Sequence, residues 1–438
     1  MRRVLIILVV TLLAAQGQAR AGWERFGEVA LMGGRATNPE MVDPESLEGD
    51  QTVGSLDLKF GALMRERKTR FHVLYAPEGE YYAGSQVVRA LHLLETVWHQ
   101  TFTPRNGLRF SDTFAYTPES AGAFGVSPLT PIVSGGGIAA NDLRATWAAR
   151  PGPLTQLDVS YDDHFAKFDA PDLLDSSVRG GAIDLTRRAG PRGAALVGYS
   201  MMFGRFQDES PGTDILPPPP DPNAPPVPLP DEEGVERLES RLQTAYAGYR
   251  YGGPRGHAEL VAGVDAVTFT TGDLEDDSAL MIRSSVGWNA HRFSGRLGYR
   301  QGIDNGGGNF AHSLASSAEA GVGFRISEAA SLDLSASQSL REELGNADDE
   351  EPGTVETWRR RGQVRYRLDG GWSLLMAVTH DAQESVDVAP SLPSVRSTRY
   401  EAGFSYSFGN PLAGQEPARA AEEEEKEGNS GRSATRDE

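Results

Sequence analysis

The sequence lacks three features that would each have assigned it to a familiar class. Its 438 residues contain no cysteine, so no disulfide framework holds the chain together. No stretch reaches the roughly 18 uninterrupted apolar residues that a membrane-spanning helix needs. The formal net charge of −19 argues against nucleic acid as a partner, because phosphates attract basic surfaces. The fold must therefore depend on hydrogen bonding and packing.

Recognisable catalytic motifs are also missing from the sequence. There is no nucleophile-elbow pattern, no HExxH motif and no phosphate-binding glycine loop. The histidines are scattered, and Asp162, Asp163 and His164 adjoin in a predicted strand, where neighbouring side chains point to opposite faces. We predict no enzymatic activity, no catalytic residue, no cofactor and no metal site. The remaining enzymatic alternative is a site assembled from distant strands, as in a barrel-embedded lipase or protease.

The N-terminus has the pattern of a secretory signal peptide. Arg2 and Arg3 precede an apolar run over residues 4–15, and small residues follow at Ala19 and Ala21. The run is too short to span a bilayer as a helix. We predict that residues 1–21 are the signal peptide, cut after Ala21 or, as a second option, after Ala19. A retained membrane helix is the alternative.

Segments with a strict two-residue period recur between residues 22 and 410. In RYEAGFSYSFGN, large side chains at Tyr400, Phe404 and Phe408 alternate with polar or small ones such as Glu401 and Ser405. This period is typical of a strand with one apolar and one polar face. We count about eighteen such segments of roughly 10–15 residues, a length that suits tilted transmembrane strands.

The predicted connections alternate between short turns and long loops. Short turns cover residues 65–68, 103–107, 150–153, 189–193, 252–256, 289–292, 326–329 and 369–371, and longer loops cover 119–137, 207–236, 271–278, 342–354 and 384–395. A soluble sandwich has no reason to sort its connections in this way, whereas an outer-membrane barrel has short periplasmic turns and long external loops. We therefore predict an all-β fold, a transmembrane antiparallel barrel of about 18 strands in the Gram-negative outer membrane. Its apolar faces would then contact the lipid bilayer.

Aromatic residues near strand ends fit the girdles that mark the two membrane interfaces. The alternative is that aromatic residues favour strands in any β protein. One position conflicts with the pattern, because alternation puts Asp112 on the lipid face beside Phe110 and Phe114. We expect either a β-bulge at this position or a place near the interface.

Three segments resemble one group of proteins. RFSDTFAYTPE (residues 109–119), FHVLYAPEGEYY (71–82) and TRYEAGFSYSFG (398–409) look like outer-membrane barrels associated with exopolysaccharide and capsule export in Gram-negative bacteria of the myxobacterial kind. The resemblance is diffuse and includes no invariant catalytic motif. It implies a polysaccharide cargo and a periplasmic polysaccharide-export protein as partner. The last aromatic strand also resembles the insertion signal read by the barrel assembly machinery, although a tail of about thirty residues follows it.

Inward positions in the C-terminal half are rich in arginine. One interpretation is a basic wall that favours anionic cargo such as an acidic polysaccharide, because pore-lining charge sets selectivity. The alternative is structural salt bridges across a wet lumen, with Glu319 and Asp333 as candidate partners. The candidate lumen-lining residues are Arg283, Arg292, Arg296, Arg300, Arg325, Arg359, Arg361, Arg365 and Arg367.

The long connections and the C-terminal tail have biased compositions. Residues 216–234 are proline-rich, which indicates a semi-rigid lid, a partner-binding arm or a solvated loop. Residues 121–137 are apolar, and we predict that they fold inward to narrow the pore. Residues 411–438 are predicted to form a disordered acidic tail in the periplasm. Two acidic loops would either bind divalent cations or be solvated; they carry Asp273, Glu275, Asp276, Asp277, Asp348, Asp349, Glu350 and Glu351.

Two functions of different classes follow from these observations. The first is a channel that exports an exopolysaccharide or capsular polysaccharide together with its periplasmic partner. The second is a general diffusion porin or a structural barrel without dedicated cargo. Inward faces with mainly Ser, Gly, Arg and Asp do not form the aromatic track of a sugar-selective porin.

Overall fold

The computed structural model describes residues 23–37, 50–84, 87–117, 137–169, 174–207, 237–270, 276–307, 310–344, 353–386 and 394–409. The predicted signal peptide, proline-rich loop and acidic tail lie outside these ranges. The apolar loop, apart from Gly137, also lies outside them, and so do the acidic residues named in the two acidic loops, apart from Asp276 and Asp277.

The described chain consists almost entirely of long strands. They are β1 (Trp23–Thr37), β2 (Gln51–Arg65), β3 (Thr69–Tyr82), β4 (Val87–Thr103), β5 (Asn106–Thr117), β6 (Ile138–Gly152), β7 (Thr155–Phe168), β8 (Asp175–Arg188), β9 (Gly193–Gln207), β10 (Arg237–Gly253), β11 (Gly256–Phe269), β12 (Asp277–Asn289), β13 (Phe293–Gly307), β14 (Phe310–Arg325), β15 (Ala330–Glu343), β16 (Thr354–Arg367), β17 (Trp372–Val386) and β18 (Val395–Gly409).

The strands form one closed antiparallel barrel. Each strand pairs with its neighbours in sequence, and β1 closes the sheet by pairing with β18 from Phe26 opposite Gly409 to Thr37 opposite Thr398. Closure leaves no sheet edge, which is the condition for a β-structure to span a bilayer. The prediction of about eighteen strands is confirmed by the 18-stranded sheet.

Short turns lie at one end of the barrel, at all the positions predicted from sequence. The turn between β16 and β17 is a single 3-10 turn, Asp369–Gly371, in which Gly370 and Gly371 have φ values of 70° and 87°. These left-handed values favour glycine, because a side chain would clash with the backbone. No helix among the described residues is long and apolar enough to cross a membrane.

The outward face of the barrel is apolar. Phe404 on β18 is 55% exposed and its cross-strand partner Leu31 on β1 is 65% exposed, whereas Glu401 and Ser405 on the other face of β18 are buried. The same alternation continues on β17, where Met376 is exposed and Leu375 is buried. The aromatic face of RYEAGFSYSFGN therefore points out of the barrel, toward lipid.

Aromatic side chains group at the short-turn end of this outward face. Trp23 packs edge-on against Phe71, with ring centroids 6.1 Å apart. Trp372 and Tyr406 lie 5.0 Å apart, and Trp288 and Phe293 are stacked at 6.2 Å. Rings at this level form an interfacial girdle, because their apolar bodies and polar edges suit the membrane boundary.

Asp112 lies on the outward face without a bulge. Its ladders with β4 and β6 run without interruption on both sides, and the register shift between β4 and β5 falls at Thr101 and Thr103 instead. The Asp112 carboxylate accepts a hydrogen bond from Asn141 Nδ2 at 3.0 Å. A partner on the next strand, and not a change of register, therefore accommodates the polar group.

Contacts between strands that are not neighbours identify the inner face. Tyr246 on β10 donates to Asp184 on β8, and Arg365 on β16 reaches Glu28 on β1. Small apolar clusters, such as Phe26 with Leu63, lie on the same inner face. A closed barrel with an apolar exterior and a polar interior is the architecture of outer-membrane proteins, and we assign the chain to the Gram-negative outer membrane.

Candidate functional site: the arginine wall

Strand register places the candidate arginines along one sector of the inner face. Arg283 on β12 is directly opposite Arg300 on β13, and Arg361 and Arg365 share a face of β16. Arg292 differs from the others, because β13 begins at Phe293 and Arg292 lies in the preceding turn. We call the strand-borne set the arginine wall: Arg283, Arg296, Arg300, Arg325, Arg359, Arg361, Arg365 and Arg367.

Small residues separate the arginines across neighbouring strands. Arg296 is opposite Gly321, Gly321 is opposite Ser335, and Ser335 is opposite Arg361. A Cβ atom added at Gly321 would lie only 3.0 Å from Arg296 Nε, so the guanidinium extends over the space that a larger residue would fill. The side chain of Arg296 therefore lies against the small residues of the neighbouring strand.

Some arginines of the wall are held by carboxylates. Arg359 donates to Asp381 on the adjacent strand at 2.8 Å, and Arg365 donates to Glu28 at 3.1 Å. On β12, Arg283 Nε lies 3.1 Å from Glu259. For these three the salt-bridge interpretation describes the structure. The partners differ from those proposed from sequence, since Glu319 and Asp333 form no salt bridge with any described residue.

Other arginines of the wall have no carboxylate partner among the described residues. Arg296, Arg300 and Arg361 are exposed, and none of them forms a salt bridge within the described ranges. Arg361 donates instead to the neutral Gln363 Oε1 at 3.2 Å. Arg300 additionally faces a like charge, Arg283, an arrangement that destabilises a strand pair. Arg325 and Arg367 are also exposed and form no salt bridge within the described ranges. All five side chains are available to an anion in the lumen.

A second charged region lies on strands β18, β2 and β3, and sequence reasoning did not find it. Arg399 contacts Glu80 and lies 3.1 Å from Glu401, which also accepts a hydrogen bond from Ser55 at 2.8 Å. Tyr82 donates to Glu80 at 2.6 Å. The inward period of β3 puts Glu80 and Tyr82 on the polar face, but only barrel closure brings them to Arg399. We call Ser55, Glu80, Tyr82, Arg399 and Glu401 the paired network.

The outer half of the lumen contains part of one hairpin of the barrel, the hairpin formed by β13 and β14. The strand β13 contacts β8 and β11, neither of which is its neighbour in the sheet. His312 on β14 packs edge-on against Phe206 on β9, with ring centroids 5.1 Å apart. The hairpin formed by β13 and β14 therefore bends inward at its outer end. The predicted inward loop, residues 121–137, lies outside the described residues except for Gly137.

The arrangement of the arginine wall supports charge attraction. Within the described ranges, no group of three His, Cys, Asp or Glu side chains could hold a metal ion. His164 lies 2.5 Å from Asp142 and Asp163 lies 3.2 Å from Arg179, so the adjoining acid and histidine residues have separate partners on opposite faces. A row of guanidinium groups in a wet lumen can raise the local concentration of anions.

Comparisons with known proteins return only distant structural likenesses. No family model and no curated protein matches the chain. The FrpB iron transporter of Neisseria meningitidis is 10% identical, with a TM-score of 0.43 over 84% of this chain and 63% of that one. The ferric citrate transporter FecA is 10% identical with a TM-score of 0.41, and this chain spans 61% of its length. OccAB4 of Acinetobacter baumannii is 8% identical, with a TM-score of 0.39 over 90% of this chain and 100% of that one. The fold rests on the strand topology itself.

Proposed function

We propose that this barrel is an outer-membrane channel whose arginine wall favours anionic solutes. The observation that carries the proposal is that Arg296, Arg300 and Arg361 are exposed on the inner face without a carboxylate partner among the described residues. Unpaired charges of one sign along a pore raise the concentration of the opposite ion within it. The paired arginines, Arg283, Arg359 and Arg365, serve the barrel structure instead.

The size of the solute follows from the outer half of the lumen. The inward-bent hairpin of β13 and β14 occupies space there, which favours small solutes over a wide polymer. Porin-like passage of small anions is therefore the first form of the proposal. Export of an acidic polysaccharide with a periplasmic export protein is the second form. Its support is the sequence resemblance and the spread of the wall over strands β12 to β16, which gives a polymer many weak contacts.

Reversal potentials test the proposal directly. Purified barrel in a planar bilayer, with a potassium chloride gradient across it, should give a reversal potential of the sign expected when chloride permeates more readily than potassium. The preference should shrink at high salt, because screening shortens the reach of each charge. A cation-selective or non-conducting barrel would refute the proposal.

The two forms of the proposal are separated in the cell. Deletion of the gene should slow uptake of small anionic nutrients if the barrel is a porin, and should remove surface polysaccharide if it is an export channel. A deletion strain that keeps all its surface polysaccharide would exclude the export form and leave the small-solute form standing.

A further inference from the structure

The β13–β14 hairpin leaves the barrel wall at a defined residue. The strand β13 pairs with β12 from Ser294 opposite Asn289 up to Gln301 opposite Ile282, and the pairing ends there. Residues 277–281 of β12 keep their pairing with β11 on the other side. In the described part of the chain, these five residues have no partner on the β13 side, so the wall has a notch.

Specific contacts hold the departed segment of β13 inside the lumen. The backbone N–H of Ile303 donates to Asp265 Oδ2 on β11 at 2.9 Å, across the intervening β12. The Ile303 side chain packs into a cluster with Leu242 and Val267. Asp304 accepts from Arg341 on β15 at 2.6 Å. Apolar, hydrogen-bonded and ionic contacts therefore all fix this position.

The β14 half of the hairpin is held in the same way. His312 Nε2 and Ser240 Oγ on β10 lie 2.5 Å apart. The imidazole ring also packs edge-on between Phe206 and Phe269, at centroid distances of 5.1 and 5.4 Å. Strands β9, β10 and β11 lie several places away from β14 in the sheet. The hairpin end thus bends into the lumen and docks on the inner face of the sector formed by β9, β10 and β11.

The alternation of outward and inward side chains along β13 predicts an outward position for Ile303. Leu297 and Tyr299 are outward, with Leu297 50% exposed, and Ile303 continues this odd-numbered series. A strand that stayed in the wall would therefore place Ile303 toward lipid, yet it is 5% exposed inside the barrel. The sequence pattern fits a wall position, and the structure shows an internal one.

The docked position also buries polar atoms without partners. Ser176 Oγ on β8, His312 Nδ1, Ser313 Oγ and Arg341 Nε are buried and have no hydrogen-bond partner among the described residues. Buried polar atoms are normally paired, and each exception weakens the arrangement that creates it. These unpaired atoms are a reason for the hairpin to leave the docked position.

We propose that residues 302–304, in the outer part of β13, form a gate with two positions. In the plug position, seen in this structure, residues 302–304 lie in the lumen. In the wall position they pair with the free side of β12 by continuing the existing register, with Met281 opposite Gly302, Leu280 opposite Ile303 and Ala279 opposite Asp304. The gate rests on the proposed channel function, since it regulates passage through the same lumen.

Paired cysteines can lock each position, because the natural chain contains none. Leu242→Cys with Ile303→Cys joins residues that share one buried cluster in the plug position. Leu280→Cys with Ile303→Cys joins residues that would be opposite only in the wall position. Ile282→Cys with Gln301→Cys is the matched control, since these residues are opposite in this structure and would remain so in both positions. A short bis-methanethiosulfonate reagent bridges each pair, and a reductant releases it.

We expect all three pairs to be bridged. The Leu242–Ile303 bridge (the plug lock) and the Leu280–Ile303 bridge (the wall lock) should change conductance in opposite directions. The plug lock should lower single-channel conductance at least twofold and the wall lock should raise it at least twofold, both reversed by reductant. The control bridge should leave conductance unchanged. Heat-modifiable migration on gels verifies that each variant is folded.

Two results would overturn the gate. Failure of the Leu280–Ile303 pair to bridge, while the control pair bridges, would show that the wall position is not visited. Locks that form fully but leave conductance unchanged would show that the hairpin does not control passage. The yield of each bridge is measured without recording conductance. A barrel that conducts no ions would refute the proposed channel, but its bridging yields would still show whether the hairpin moves.

Discussion

Guanidinium groups have opposite surroundings in the paired network and in the arginine wall. Arg399 in the paired network contacts Glu80 and Glu401, and Glu401 is 7% exposed. Arg361 in the wall is exposed and donates only to a neutral glutamine. A buried charge must be paired because water no longer solvates it, whereas a charge in a wet lumen keeps its hydration. Paired charges therefore fix the barrel, and unpaired ones remain available to solutes.

The paired network should be sensitive to the loss of its cation. Arg399→Leu leaves Glu80 and Glu401 without their shared partner, and removing one member of a buried pair costs on the order of 3 kcal/mol. We expect the free energy of unfolding, measured with urea in lipid vesicles, to fall by about that amount. Arg361→Leu is the matched control in the wall and should change it by less than about 0.5 kcal/mol. Equal losses in both variants would remove the distinction between the two regions.

A smaller effect of opposite sign is expected within the wall. Arg300 faces Arg283 directly and has no carboxylate partner among the described residues. Like charges opposite each other destabilise a strand pair by a few tenths of a kcal/mol up to about 1. Arg300→Gln should therefore raise the free energy of unfolding by roughly 0.5 kcal/mol in the same urea assay. A clear loss of stability would mean that Arg300 has a structural partner after all.

The smallest effect should come from converting a paired arginine into a free one. Asp381→Asn removes the charge that neutralises Arg359 but keeps a polar group 2.8 Å from it. One further positive charge about 10 Å from a passing ion is worth about 0.4 kcal/mol in water, so anion preference should rise about twofold. Reversal potentials in bilayers measure this preference. Glu384→Gln, on the outward face of the same strand and paired with Arg396, is the control and should leave it unchanged.

Local patterns predicted the fold because a barrel repeats one local rule. Side chains such as Phe404 and Ser405 fall on opposite faces by geometry alone, and glycine-rich turns such as Asp369–Gly371 mark strand ends. Each strand also pairs with the next one in sequence. Strand number and turn positions therefore needed no knowledge of distant contacts.

Contacts across the closed barrel could not be predicted in the same way. Arg365 pairs with Glu28, 337 residues earlier in the chain, and no local pattern relates the two. The inward bend of β13 was hidden because Ile303 obeys the alternation of a wall residue. One signal was present in QGIDNGGGNFAH, where the chain has glycines instead of a long loop on the long-loop side. The short length alone is not the signal, because β3 and β4 are also joined by a short connection at that end and stay paired in the barrel wall.

The most direct test of the account is the charge preference of the channel after three of the unpaired arginines are neutralised together. Arg296→Gln, Arg300→Gln and Arg361→Gln keep hydrogen-bonding groups and remove three positive charges from the inner face. At about 0.4 kcal/mol per charge, the anion preference in the reversal potential should fall roughly eightfold. Arg360→Gln, on the outward face of β16, should leave it unchanged. A triple variant that folds and retains the natural barrel's full anion preference would contradict the claim that these arginines select the solute.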